Sequence, residues 1–227
     1  MRSGGRSRRI GVLGGTLDPI HVGHVETARV ATAALSLSSL VILPSRVPPH
    51  RQNGPSASPF HRFAMAALAL SGLPYATVSD EELCTEGPSY TVLTLERFAD
   101  RWGEGSQIFF ITGADAFAEI ETWYRYPAVL DLAHFAVVSR PGTPVRSLGE
   151  RLPTLTSRFR DPRDRDDPSG RRWIYPIDAP TPDVSSTEIR RRLRDGESIQ
   201  GMVPAEVELH IRRHGLYLET TTADHLQ

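Results

Sequence analysis

The sequence predicts an α/β protein built on a mainly parallel β-sheet, with helices covering both faces. Short apolar runs alternate along the chain with longer segments of helical periodicity. Strands that are separated by helices favour parallel pairing through right-handed crossovers. The last two segments of helical periodicity each end at a glycine, so two C-terminal helices are expected to complete the fold.

The elements can be placed in order along the chain. Strands are predicted at the apolar runs 9–14, 40–44, 107–113, 133–142 and 172–177, with a short extended segment at 75–79. Helices are predicted between and after them, at about 23–37, 59–71, 89–102, 185–196 and 204–215.

Length and composition are those of an ordinary globular domain. The chain has 227 residues, of which 39% are hydrophobic and 23% charged, and its formal net charge is −1. This charge gives no overall attraction to nucleic acid or membrane. One domain is expected over 9–218, preceded by a flexible basic N-terminus at 1–8 and followed by a tail at 219–227. The sequence contains no lysine, so an anion site in this chain must use arginine.

Cysteine content and hydropathy indicate the cellular compartment in which the protein is expected. The single cysteine, Cys84, excludes an internal disulfide framework and a cysteine-rich zinc site. No apolar run reaches the ~18 residues that span a bilayer, and none of signal-peptide length follows the basic N-terminus. We therefore expect a cytoplasmic protein that binds neither membrane nor nucleic acid. A homo-oligomer is compatible with the sequence.

Two segments interrupt the alternation of strands and helices. Residues 44–58 are rich in Pro, Gly, Ser and Asn and predict a flexible loop beyond the carboxyl end of the second strand. Open α/β sheets bind their ligands at that edge. Residues 143–171 are dense in charge and proline, and predict a surface excursion that is partly disordered.

The junction between the first strand and the first helix has the residues of a phosphate site. It reads "GGTLDPIHVGH", residues 14–24. Gly14 and Gly15 let the backbone turn tightly and approach a ligand. The helix start that follows offers unpaired N–H groups and the positive end of the helix dipole. His21 and His24 lie three residues apart on one helix face and would donate hydrogen bonds to phosphoryl oxygens.

Two other interpretations of these histidines stay open on the residues alone. A zinc site would need a third protein ligand, and Asp18 is too close in sequence to be a persuasive one. The pair could also be two ordinary histidines near a helix start. The motif matches neither the dinucleotide-binding G-x-G-x-x-G pattern nor a Walker loop. No protein-bound metal is predicted.

A second helix start carries hydroxyl groups and a cation. It reads "VSSTEIRRRL", residues 184–193, in which Ser185 and Glu188 have the S-x-x-E spacing of a capping box. By itself this spacing predicts only that a helix begins there. Ser186, Thr187 and Arg190 would add a second clamp for phosphate at the same helix end.

Both motifs resemble those of one nucleotidyltransferase superfamily. "GGTLDPIHVGH" resembles its G-G-S/T-F-D-P-x-H-x-G-H motif, with Leu17 in place of the usual Phe. "VSSTEIR" resembles its I-S-S-T-x-I-R element, with Val184 in place of Ile. The resemblance implies a Rossmann-like, doubly wound fold of the nucleotidyltransferase type with an ATP site. The residues that it implies for ATP are Gly14, Gly15, Thr16, His21, Gly23, His24, Gly113, Asp115, Ser186, Thr187 and Arg190.

The middle and end of the chain resemble the bacterial nicotinate mononucleotide adenylyltransferases. The segments that carry this resemblance are "PPHR" at 48–51, "RFAMAALAL" at 62–70, "PSYTVLTLERF" at 88–98, "FFITGADAFAEIETWYRY" at 109–126 and "VPAEVELHIRRHGLY" at 203–217. Arg51 replaces the usual lysine of the family, and His210 stands where tyrosine is common. The resemblance spans essentially the whole chain apart from the N-terminus and 143–171.

This resemblance implies transfer of the adenylyl group from Mg²⁺-bound ATP to nicotinate mononucleotide, giving nicotinate adenine dinucleotide and pyrophosphate. The catalytic residues would be His21, His24 and Arg190. Trp123 would stack on the pyridinium ring of the mononucleotide. The residues implied for the mononucleotide are His50, Arg51, Tyr90, Thr91, Asp115 and Trp123.

Alternatives remain for the roles and for the function. Trp123 and Tyr90 could serve only in packing, and Asp115 only as a helix cap. The enzyme could instead prefer nicotinamide mononucleotide or another phosphorylated acceptor. A chain of the same fold could also be a non-catalytic nucleotide-binding module.

Overall fold

The computed structural model describes residues 8–49, 54–103, 105–164 and 170–218. The strands in these residues are β1 (Arg8–Gly15), β2 (Ser39–Pro44), β3 (Ala76–Val78), β4 (Ser106–Gly113), β5 (His134–Val138) and β6 (Ile174–Ile177). They form one sheet in the order β3-β2-β1-β4-β5-β6, and every neighbouring pair is parallel. This is the doubly wound order, so the predicted α/β class is confirmed.

Helices connect the strands as the sequence predicts. The α-helices in the described residues are α1 (Val22–Leu35), α2 (Pro59–Ala69), α3 (Thr91–Trp102), α4 (Ala114–Phe117), α5 (Leu148–Arg151), α6 (Ser186–Arg194) and α7 (Ala205–Arg213). Short 3₁₀ turns lie at Ile120–Thr122, Ala128–Asp131, Val145–Ser147 and Pro153–Arg158. All five predicted helices are present, and each observed end lies within two residues of the predicted end.

Local signals explain where two of these helices begin. The Ser58 hydroxyl accepts a hydrogen bond from the His61 N–H at 3.3 Å, which caps α2. Pro59 then occupies the first turn of α2, where its missing N–H is not needed. In the same way, the Ser185 hydroxyl accepts from the Glu188 N–H at 3.2 Å and caps α6. The capping pattern at the second motif therefore forms.

The sheet buries an apolar core on each of its faces. Alternation along the strands divides the side chains between the faces, so Phe109 and Phe110, neighbours in sequence, belong to opposite cores. The core on the Phe109 face receives apolar residues of α1, α2, α6 and α7. The core on the Phe110 face receives those of α3 and of the segment after β5. No helix in the described ranges is long and apolar enough to cross a membrane.

Two predicted segments differ in the structure. The strand predicted at 133–142 ends at Val138, because Arg140 and Thr143 close a tight turn with paired main-chain hydrogen bonds of 3.1 and 2.8 Å. The segment 143–171 was expected to be a surface excursion. Its described first half instead packs into the core, with four buried apolar side chains that the charges around them obscured: Val145, Leu148, Leu152 and Leu155.

The order of the sheet fixes where a site can form. The chain leaves β1 toward one edge of the sheet through β2 and β3, and toward the other through β4, β5 and β6. The carboxyl ends of β1 and β4 therefore lie side by side where the direction of winding reverses. Ligands of doubly wound folds bind in the crevice outside this point. The first motif follows β1 directly, and Gly113 ends β4.

Candidate active site

The first motif forms a buried loop between β1 and α1. The main-chain oxygen of Gly15 accepts from the N–H of Ser45, which continues the β1–β2 ladder to its last residue. Leu17 is 1% exposed and fills the space beneath the loop, as an apolar residue at that position should. His21 is the N-cap residue of α1, and His24 lies in the first turn of the helix.

The two histidine rings lie against each other, with their centroids 3.7 Å apart. The N–H of His21 donates to Nδ1 of His24 at 3.3 Å. A ring nitrogen that accepts carries no proton, so in neutral His24 the proton is on Nε2. Nδ1 of His21 is buried and has no hydrogen-bond partner among the described residues. The pair thus offers one oriented donor and one unsatisfied ring nitrogen at a helix N-terminus.

Both imidazoles are held in the neutral form. Burial, aided by the neighbouring His24 and Arg140, lowers the pKa of His21 to about 2. Burial and Arg140 lower the pKa of His24 to about 3. A neutral imidazole keeps one N–H, which can donate to a phosphate oxygen, and one nitrogen that can accept.

Arg140, which follows β5, lies close to Gly23 and Gly113, two of the four glycines that the resemblance implies for the ATP site. A Cβ added to Gly23 would lie 3.0 Å from Nη1 of Arg140 and equally close to the His21 ring. A Cβ added to Gly113 would lie 2.9 Å from Cγ of Arg140. Nη2 of Arg140 donates to the main-chain oxygen of Val184, just before α6, at 3.3 Å. These glycines therefore make room for an arginine, which the sequence reasoning missed.

The second motif packs onto the first. The Ser186 hydroxyl donates to the main-chain oxygen of Pro19 at 2.9 Å. Nη1 of Arg190 donates to the main-chain oxygen of Asp18 at 2.7 Å, and Nη2 donates to the Thr187 hydroxyl at 3.3 Å. The N-terminus of α6 and the loop that leads into α1 are therefore in direct contact. The two phosphate motifs, far apart in sequence, form one region of the surface.

Asp18 ties that region to the rest of the fold. Its side chain is fully buried. Its carboxylate accepts from the N–H of Ser56 at 2.7 Å, from the N–H of Ala57 at 3.0 Å and from the Tyr217 hydroxyl at 2.9 Å. One acidic side chain thus holds the loop before α2 and the segment after α7 against the first motif. It is not arranged as a metal ligand, the role considered for it above.

Two cavities meet at the carboxyl ends of β1 and β4. The larger has a volume of about 790 Å³, and the smaller has a volume of about 180 Å³. Gly14, Thr112 and Ala116 line both, so the cavities adjoin there. Two adjoining cavities allow two substrates to bind with their reacting groups close together.

The smaller cavity contains charged and hydrogen-bonding groups. Its lining includes His24, Gly113, Asp115 and Arg140. Asp115 was implied for both substrates, but in the structure it lines only the smaller cavity. His21 and Gly23 are buried behind it and line neither cavity.

The larger cavity is lined by aromatic rings and by the start of α3. Tyr90 and Tyr124 stack with centroids 4.3 Å apart, and Trp123 packs edge-on against Phe110 at 5.9 Å. Thr91 begins α3 at the cavity wall, so the N–H groups at the start of the helix lie at this end. Planar aromatic walls beside a helix N-terminus suit a flat ring that carries an anionic group.

A buried carboxyl group, Glu82, also lines the larger cavity. Its side chain accepts from the Thr94 hydroxyl at 2.7 Å, and burial raises its pKa above the ordinary value. The sequence reasoning did not single it out, because nothing local distinguishes it from the adjacent Glu81. Gly14, Gly15 and Thr16 complete the wall toward the smaller cavity. His50 and Arg51 lie outside the described residues.

Comparison with known proteins shows the family of this chain. Residues 12–192 match the family described as cytidylyltransferase-like. A probable nicotinate-nucleotide adenylyltransferase of Moorella thermoacetica is 39% identical over 212 residues, which are 93% of each chain. A protein of the same description from Pseudomonas syringae pv. tomato is 37% identical over 219 residues, 95% of this chain and 96% of the relative.

Solved structures give the same fold. The nicotinic acid mononucleotide adenylyltransferase of Plasmodium falciparum complexed with NaAD superposes with a TM-score of 0.71, covering 92% of this chain and 97% of the other. At 16% identity this likeness bears on the fold alone. The family match and the curated relatives reach further, since they extend over most of the chain and include both phosphate motifs. The chain therefore belongs to the cytidylyltransferase-like family and, within it, to the nicotinate-nucleotide adenylyltransferases.

Proposed function

We propose that this enzyme transfers the adenylyl group of ATP to nicotinate mononucleotide, forming nicotinate adenine dinucleotide and pyrophosphate. The observation that carries the proposal is the pair of adjoining cavities, one with aromatic walls and one beside the His24–Arg140 cluster. The names of the relatives support the choice of acceptor. The reaction supplies a precursor of NAD, and we place it in one domain over 9–218 of a cytoplasmic protein.

In the proposed reaction an oxygen of the mononucleotide 5′-phosphate attacks the α-phosphorus of ATP. A new P–O bond forms, the bond from the α-phosphorus to the bridging oxygen breaks, and pyrophosphate leaves with that oxygen. The attacking phosphate is already anionic at neutral pH, so the step needs no general base. Catalysis then consists of positioning the two nucleotides and stabilising charge on the phosphoryl oxygens.

Neutral His24 supports this mechanism, because its Nε2–H is directed by the bond that its Nδ1 accepts. We assign His24 to the triphosphate and His21 to the α-phosphate and bridging oxygens. Arg140 joins them, since it lines the smaller cavity together with His24. A fixed cation there would stabilise negative charge that grows on the phosphates.

Arg190, Ser186 and Thr187 are proposed to hold the β- and γ-phosphates. Ser186 and Arg190 also bind the main-chain oxygens of Pro19 and Asp18. A guanidinium has five N–H groups, so one arginine can hold a carbonyl and a phosphate at the same time. Gly14, Gly15, Thr16 and Gly113 line the cavities and are proposed to contact the nucleotide, while Gly23 makes room for Arg140 beside His21.

Mg²⁺ is proposed to enter with ATP. Among the described residues, Asp115 is the one carboxylate in the lining of the smaller cavity. One carboxylate does not make a protein-only magnesium site but is compatible with an ion that keeps phosphate and water ligands. The ion would neutralise part of the phosphate charge during transfer.

The larger cavity is proposed to bind nicotinate mononucleotide. Trp123 would contact the pyridinium ring, while the Thr91 hydroxyl and the N–H groups at the start of α3 would receive the ring carboxylate. Glu82 also lines this cavity, and burial raises its pKa. Tyr90 contributes the cavity wall. His50 and Arg51 are proposed to reach the acceptor from the 44–58 loop.

The experiment is a pyrophosphate-release assay with ATP and Mg²⁺, run in parallel with nicotinate mononucleotide and nicotinamide mononucleotide, with the dinucleotide product identified by chromatography. We expect the acid to be strongly preferred. Preference for the amide would keep the reaction and overturn the assignment of the carboxylate site. If folded enzyme binds ATP but reacts with neither acceptor, the proposed substrate is wrong.

A further inference from the structure

Three histidines form a cluster away from both cavities. His61 lies in the first turn of α2, His210 in the last turn of α7, and His214 directly after α7. One ring nitrogen from each lies within 4.8 Å of the other two. Among the described residues this is the one group of three or more His, Cys, Asp or Glu side chains with such spacing. None of the three lines either cavity.

We propose that His61, His210 and His214 bind one divalent transition-metal cation, with Zn²⁺ as the best match. Imidazole nitrogen is a preferred ligand of zinc, cobalt, nickel and copper ions and a poor one for Mg²⁺ or Ca²⁺. Three protein nitrogens and a water would complete the tetrahedral coordination that zinc adopts. The site is separate from the proposed nucleotide reaction and does not depend on it.

The spacing within the cluster supports this assignment. Nδ1 of His61 and Nε2 of His210 lie 3.1 Å apart. Two nitrogens held at about 2.0–2.1 Å by one tetrahedral ion lie roughly 3.4 Å apart, so this pair is already close to the bound geometry. His210 and His214 are four residues apart and lie on one face of the helical turn, the arrangement of two zinc-binding histidines on a helix.

The third ligand has freedom to move into place. The centroid of the His214 ring lies 4.9 Å from that of His61 and 4.4 Å from that of His210. His214 is exposed, whereas the other two are partly buried. Side-chain rotation can therefore bring its nitrogen from within 4.8 Å of the other two to the roughly 3.4 Å spacing around a tetrahedral ion.

A bound ion would join two elements that hold the first motif. In α2, the guanidinium of Arg62, next to His61, donates to the main-chain oxygen of Thr16 at 2.7 Å. After α7, the Tyr217 hydroxyl donates to Asp18. A metal between α2 and α7 would thus stabilise the scaffold of the 16–18 loop. We assign the ion a structural role.

The test uses untagged, full-length protein stripped with chelator and free of nucleotide. Zn²⁺ affinity is measured by competition with a chromogenic chelator, and Co²⁺ coordination by visible absorption. We expect one equivalent of Zn²⁺ to bind, tetrahedral Co²⁺ bands to appear, and the melting temperature to rise with Zn²⁺. His210→Tyr and His214→Gln should each weaken Zn²⁺ binding by at least the roughly 10-fold that loss of even an outer-shell partner costs.

Two controls make the result specific. Arg213→Gln changes an exposed α7 residue outside the cluster and should bind Zn²⁺ as the parent does. His24→Asn tests whether the ion sits at the histidine pair of α1 and should also leave Zn²⁺ affinity unchanged. The proposal is overturned if the parent protein shows no saturable one-to-one binding. It is equally overturned if His210→Tyr and His214→Gln bind like the parent, or if binding disappears in His24→Asn alone.

Discussion

The guanidinium of Arg190 donates to the main-chain oxygen of Asp18 at 2.7 Å, across a sequence separation of 172 residues. This bond joins α6 to the loop that leads into α1. A cation proposed for the ATP phosphates therefore also fixes the loop on which the other phosphate ligands stand. Substitution at Arg190 would change both the free energy of unfolding and the turnover number. The two effects are better separated by substitutions at Tyr217 and His24.

Tyr217→Phe should show how much the hydrogen bond to Asp18 contributes to the stability of the fold. The variant keeps the ring and loses a hydroxyl that donates to the buried Asp18 carboxylate at 2.9 Å. A hydrogen bond to a charged group contributes about 1.5–3 kcal/mol, so the free energy of unfolding should fall by about that amount. Urea unfolding measures it. Tyr126→Phe is the matched control, because its hydroxyl reaches Glu121 at 3.5 Å in an exposed position. Equal stability of the two variants would show that the Asp18 contact contributes nothing.

His24→Ala should show how much His24 contributes to turnover. The substitution removes the oriented Nε2–H from the smaller cavity, and loss of one such donor typically lowers kcat by about 100-fold or more. Steady-state kinetics at saturating ATP and nicotinate mononucleotide measure the change, and circular dichroism checks the fold. Arg29→Ala, an exposed change on the same helix, should leave kcat near the parent value. Turnover of His24→Ala close to that of Arg29→Ala would refute the role of His24.

The class of fold and the two phosphate motifs can be predicted from the sequence, because both depend on local patterns of residues. The periodicity of apolar residues predicts the strands, and Ser185 with Glu188 predicts the start of α6. The resemblance implies that the N-termini of α1 and α6 meet at one ATP site. The structure gives the contacts that join them, from Ser186 to Pro19 and from Arg190 to Asp18.

Other features depend on contacts between distant residues and have no local signal. Arg140 follows an ordinary buried strand, yet it lies against Gly23 and Gly113, which belong to two other segments. The buried leucines in segment 143–171 could not be predicted from its overall composition. That composition is dominated by charge and proline and does not show which single apolar residues are buried. His61 and His210 are 149 residues apart, so their 3.1 Å contact cannot be seen in either segment alone.

Trp123→Ala should affect the two substrates unequally. Trp123 lines the larger cavity and not the smaller one. Loss of the ring should therefore raise the KM of nicotinate mononucleotide more than that of ATP. Initial rates measured with each substrate varied in turn provide the comparison. Trp173→Phe changes a tryptophan outside both cavities and should leave the two KM values in their parent ratio. Parallel changes in both KM values in Trp123→Ala would mean that this residue only packs.

The buried histidine pair should make stability depend on pH. His24 has a pKa of about 3 in the folded protein, whereas an unfolded histidine titrates near 6.5. Between these values the unfolded chain binds more protons, so the free energy of unfolding must fall as the pH is lowered below about 6.5. At about pH 5 the loss attributable to His24 approaches about 2 kcal/mol relative to neutral pH.

His24→Asn removes that titration and should reduce the pH dependence accordingly. Urea unfolding of the parent and the variant at about pH 7.5 and about pH 5 gives the two differences in free energy of unfolding. The parent should lose up to about 2 kcal/mol more than the variant on acidification, and His21, whose pKa is about 2, accounts for a further loss that both share. Arg213→Gln, an exposed change that removes no histidine, should follow the parent. An equal loss in His24→Asn and the parent would mean that His24 is protonated as easily in the folded as in the unfolded chain, and that its neutral, donating form is not maintained by the fold.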